Sequence, residues 1–133
     1  METSKFESSF RQTETAIVLF KEGKYDCAIT LAAAAENMLP DTDKWHIFQA
    51  LKDDERFSEM HYNLMINWLK HSNRPETQAE RATLSEIEVV VVIARAISKF
   101  NAVYGQTCEN FEDFLNWATA VGHLPERKHK ISD

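Results

Sequence analysis

Turn-forming residues are what this chain has least of. Three glycines and three prolines serve 133 residues. An all-β domain of that length needs a turn roughly every 8–12 residues and draws on more of both. Two cysteines, Cys27 and Cys108, lie far apart with no C-x-x-C between them. That excludes a disulfide framework and a four-cysteine zinc module, and suits a reduced compartment. Long hydrophobic runs are missing too. The longest, residues 89–94, falls far short of the roughly 20 residues that span a bilayer. The opening METSKFESSF has no apolar signal-peptide core, so the expected location is the cytoplasm. Positive charge is in deficit, with 15 Lys and Arg against 21 Asp and Glu, a net charge of -6 and a pI near 5.4. This excludes a surface that grips nucleic acid throughout, though it leaves room for a local basic site.

Catalytic signatures are also lacking. There is no G-x-S-x-G, no glycine-rich phosphate loop and no cysteine-centred motif. A di-metal site in a helical bundle needs Glu-x-x-His on two helices. The single match here pairs Glu126 with His129 in the tail. No metal and no cofactor are expected.

What the chain does hold is helix-forming material. Apolar residues make up 44% and aromatics 11%, enough for a core, and Ala, Glu, Lys and Leu are abundant. The expectation is an all-α, single-domain antiparallel helical bundle of about five to six helices over residues 1–122. A polar, flexible tail over 123–133 would follow, carrying Arg127, Lys128 and Lys130.

Periodicity places the helices. Phe6, Phe10, Thr13, Ile17 and Phe20 form one stripe on a helix over about 4–22, stopped by Gly23. A second, over about 25–39, carries Tyr25, Ala28, Ile29, Ala32, Ala35 and Leu39 on one face and ends at Pro40. Glu36 falls at the edge of that face, where a carboxylate needs a cationic partner or a path to water. A short helix over about 42–51 has Asp41 and Asp43 as caps and an apolar side from Trp45 and Phe48. The next, over about 55–71, has Phe57, Met60, Leu64 and Trp68 in its apolar arc, where His61 reads as a packed core residue. Thr83 with Glu86 fits a capping box for a long helix over about 84–104, apolar on nearly every side. Arg95 projects from its less apolar side, near Glu88 and Lys99, and Gly105 ends it. Asn110 caps a last helix over about 110–121, with Phe111, Phe114, Leu115 and Ala118 inward.

The segment over 63–73, NLMINWLKHSN, concentrates the chemistry. Asn63, Asn67 and His71 recur every four residues and so share a helix face. An imidazole can give or take a proton near neutral pH, Lys70 beside it can hold a phosphate, and Asn67 can orient either. Such groups suit RNA cleavage, in which a base activates the 2′-hydroxyl and a cation stabilises the phosphorane. The same residues also serve structure alone, because a cation in a last helical turn favours the dipole.

The run N-W-L-K-H at 67–71, the polar break after it, R-A-I at 95–97 with Asn101, and D-C-A-I-T-L-A-A-A-A-E-N-M-L at 26–39 resemble the HEPN superfamily (higher eukaryotes and prokaryotes nucleotide-binding). The likeness is to its small bacterial members and covers roughly residues 9–104. It implies a helical bundle, often a homodimer with the site at the dimer interface. Many members are metal-independent RNases of toxin–antitoxin or defence systems, with an Arg, four to six residues, then a His. His71 fits the His. The Arg positions hold Leu64, Met65 and Ile66, so the hallmark Arg is absent. Glu36 matches the acidic residue often present on the family's second helix, which implies a role in holding His71 or Lys70.

Three readings follow. The first is a non-catalytic binding or regulatory homodimer with a polar cleft lined by Glu36, Asn63, Asn67, His71, Arg74 and Arg95. The second is an RNase that uses His71 with Lys70, Arg74 or Arg95 as its cation. The third is a purely structural oligomer. RNA, a nucleotide or an antitoxin-like protein is the expected partner; a membrane is not.

Overall fold

The computed structural model describes residues 1–42, Leu69 and residues 80–126. Among these, the regular elements are four α-helices, and no strand occurs. The chain is all-α there. The helices expected over 42–51 and 55–71 lie outside the described residues, apart from Leu69, which is helical and packs against the core.

Helix α1 (Lys5–Lys21) opens where Ser4 Oγ accepts the Glu7 backbone N–H at 3.0 Å. It closes at Gly23, whose φ of 77° is left-handed. The Gly23 N–H donates to the Phe20 carbonyl at 3.0 Å and the Lys24 N–H to that of Leu19 at 2.9 Å. These two bonds form the glycine-ended cap expected there, and they fold α2 (Tyr25–Asn37) straight back along α1. Ala28, Ala32, Ala33 and Ala35 are all 1% exposed or less. Side chains that small let the neighbouring helix axes come close. The Thr13 hydroxyl, also buried, donates to the Ser9 carbonyl at 2.8 Å, so α1 satisfies its own inward polar group.

Helix α3 (Glu86–Tyr104) is the longest of the four, and residues 89–94 are wholly buried. Its start differs from the expected capping box at Thr83 by two residues. Ser85 Oγ accepts the Glu88 N–H, and the Ser85 N–H donates to Glu88 Oε2, both at 3.4 Å. Both frames have the right residue types. The one that forms turns the Glu88 carboxylate back on the helix end and leaves Glu86 to reach His123 Nε2 at 2.7 Å. Gly105, at φ 66°, ends the helix as expected.

Helix α4 (Glu109–Ala120) begins after Cys108, one residue before the expected start. Cys108 provides no side-chain cap and packs against the core instead. The inward face is the expected one of Phe111, Phe114, Leu115 and Ala118. Packing does not stop at residue 122, where the polar tail was expected to start. The His123 N–H donates to the Ala118 carbonyl at 2.9 Å and Leu124 is 4% exposed. An apolar side chain right after a glycine cap folds back onto the helix it ends. Residues 127–133 lie outside the described residues. Cys27, by contrast, is exposed.

Ring contacts give the helix directions. Phe10 meets Phe111, and Phe20 meets Trp117, so α1 and α4 run the same way. Phe6 and Phe10 meet Phe100, and Phe6 meets Tyr104, so α1 and α3 run oppositely. Since α2 doubles back on α1, α2 and α3 run parallel.

Candidate functional site

Among the described residues the buried polar side chains are Ser9, Thr13, Glu36 and Lys99. The first two bond their own helix. The other two belong to a charged cluster at the C-terminal end of α2.

Glu36 sits in the last turn of α2 and Arg95 midway along α3. Arg95 Nη2 donates to Glu36 Oε1 at 2.8 Å. The side chains are 12% and 6% exposed, respectively. Lys99 lies one turn beyond Arg95, is 4% exposed, and has its Nζ 3.7 Å from Asp41 Oδ1, just past the end of α2. The parallel run of α2 and α3 makes this cluster, because it brings the end of α2 alongside the second half of α3.

The expected path to water or to a cation for Glu36 thus resolves to a cation on another helix. The less apolar side of α3, which carries Arg95 and Lys99, is the seam against α2. Glu88 is turned to the helix start and takes no part. A role for Glu36 in holding His71 or Lys70 is outside the described residues, as are Asn63, Asn67, Lys70, His71 and Arg74 themselves. Leu69, the sequence neighbour of Lys70, packs against the core.

The energetics of such a pair are asymmetric. A charge-assisted hydrogen bond at this distance is strong, but both groups lose their hydration. Replacing the two together with apolar side chains of similar size is often neutral or better, while removing one costs about 3–5 kcal/mol. The pair is therefore a poor way to gain stability and an effective way to fix which groups face each other.

Sequence reasoning missed Lys99 in this cluster and, away from it, the His123–Glu86 contact. Lys99 gave a signal, being one turn from Arg95 on the same helix. His123 gave none, because it had been grouped with the basic tail. Its ring lies 5.9 Å from that of Trp117 and its Nε2 on Glu86. Among the described residues no group of three or more His, Cys, Asp or Glu side chains is placed to hold a metal ion, and no helix is long and apolar enough to cross a membrane.

No family model, no curated protein and no solved structure matches this chain.

Proposed function

We propose that this chain is a HEPN-like helical protein that binds a partner or ligand without catalysing a reaction and acts as a homodimer. In this reading the Glu36–Arg95 pair forms the floor of a polar cleft, to which Asn63, Asn67, Lys70, His71 and Arg74 contribute. RNA or a nucleotide is the favoured ligand class, and an antitoxin-like protein is the favoured macromolecular partner.

The observation that carries the proposal is the buried ion pair at 2.8 Å. A bundle that needed only stability does as well with two apolar side chains in that place. The same contact favours binding over cleavage. Arg95 is a candidate replacement for the missing hallmark Arg, and its charge is already met by a carboxylate. A cation so compensated has less to offer a developing phosphorane.

The test is an RNA cleavage assay in EDTA with wild-type and His71→Ala protein, alongside thermal melts with added nucleotides. No cleavage by either protein, with a nucleotide-dependent rise in Tm that shrinks in the variant, supports the binding reading. Cleavage by wild type that vanishes in the variant replaces it with a metal-independent RNase. An unchanged melt and no cleavage in both leaves the structural oligomer.

A further inference from the structure

Where α1 turns into α2, aromatic rings wall a cleft of about 560 Å³. Phe20, Tyr25, Phe114 and Trp117 line it, together with Glu86 and Asp113. Tyr25 precedes Glu36 by eleven residues on one helix, about 16 Å along its axis, so this cleft is distinct from the charged cluster.

The walls are set before any ligand arrives. Phe20 and Tyr25 stack at 5.5 Å with their planes 16° apart. Trp117 is held by three rings, Phe20 at 5.6 Å and Phe114 and His123 both at 5.9 Å. His123 is fixed in turn by Glu86 at 2.7 Å. Yet Trp117 remains 39% exposed. A large ring held in place and left open to water is suited to a ligand, because its ordering cost has been met in folding.

Charge selects the kind of ligand. Aromatic faces carry the negative part of the ring quadrupole and attract cations. Glu86 and Asp113 add two carboxylates; Glu86 is already bonded to His123 Nε2, and Lys21 on the same lining offsets one charge. Two helix C-termini, of α1 and α4, meet two N-termini, of α2 and α3, at this end, so the helix dipoles largely cancel. The side chains therefore decide the sign, and with His123 neutral it is negative.

We infer that this cleft binds an organic ammonium ion, with Trp117 and Tyr25 supplying ring faces and Asp113 the counter-charge. The ammonium group arrives either as a free small amine or as a methylated lysine side chain on a peptide.

The experiment titrates the full chain with choline and with its neutral carbon isostere, 3,3-dimethyl-1-butanol, followed by NMR of the backbone amide signals. Choline is expected to bind about tenfold more tightly, the scale of one desolvated cation–π contact. Trp117→Leu keeps apolar bulk and removes the ring face, and should weaken choline about tenfold. Asp113→Asn is a surface change that leaves the fold alone, and should weaken choline about threefold. A trimethyllysine peptide that binds more tightly than choline assigns the ligand to a protein side chain; the reverse order assigns a free amine. Equal affinity for choline and the alcohol overturns the inference, as does no saturation at tens of millimolar. Undiminished binding by a folded Trp117→Leu protein, or by Asp113→Asn where the leucine variant fails to fold, overturns it as well.

Discussion

The Arg95 guanidinium clasps the Glu36 carboxylate at 2.8 Å across 59 residues of chain. The contact ties the last turn of α2 to the middle of α3. Between them the chain runs through the segment that carries Asn67, Lys70 and His71, so the pair joins the two sides of that excursion.

The cost of breaking the pair should be lopsided. Glu36→Leu or Arg95→Met alone strands a buried charge and should lower unfolding free energy by about 3 kcal/mol. The double variant should recover most of that loss. Chemical denaturation of all four proteins gives the coupling. Additive losses in the double variant would show that the two groups do not depend on each other.

The start of α3 offers a test that separates two frames two residues apart. Ser85→Ala removes an acceptor that the Glu88 N–H uses and should cost about 1 kcal/mol. Thr83→Ala touches no bond in this helix start and should be close to neutral. Equal effects would place the cap elsewhere.

Phe100 is 1% exposed and its ring meets those of Phe6, Phe10, Tyr104 and Phe111. Phe100→Ala should cost about 4 kcal/mol, a large share of what a domain this size has. A loss under about 1 kcal/mol would mean that the neighbouring rings close the gap.

Gly105 lies at φ 66°, with open space where a Cβ would go. Gly105→Ala therefore meets backbone strain and no clash, and should cost about 1 kcal/mol in a denaturation curve. No change would mean that the turn relaxes to negative φ.

Sedimentation at micromolar concentration tests the homodimer. A species of twice the 15.4 kDa chain mass is expected. Monomer alone would remove the dimer from the proposed function while leaving the cleft to be tested by ligand.

Helix positions were legible to within about two residues because local rules govern them. Apolar spacing of three and four marked the inward faces of α1 and α4, and glycines stopped α1 and α3 through their own backbone freedom. The capping residue of α3 was not legible, since Thr83 with Glu86 and Ser85 with Glu88 satisfy the same local pattern. The phase of a buried helix decides between them.

The candidate site was legible only in parts. Glu36 was visible as a carboxylate at an apolar edge that needed a cationic partner or a path to water, and Arg95 as a cation on the less apolar side of α3. That they answer each other was not visible. Nor was the aromatic cleft, for Trp117 reads as the outer residue of an amphipathic helix and His123 as the first residue of a polar tail.

By itself the sequence determined that this chain is helical where it is described, where each of those helices begins and ends to within about two residues, and which face α1 and α4 bury. Those properties follow from spacing, caps and breakers within a few residues. Tertiary structure alone decided that α2 and α3 run parallel, that Glu36 meets Arg95, and that Tyr25, Trp117 and Glu86 share one cleft. Each depends on how whole helices pack, and packing is settled by the shape and burial of many side chains at once.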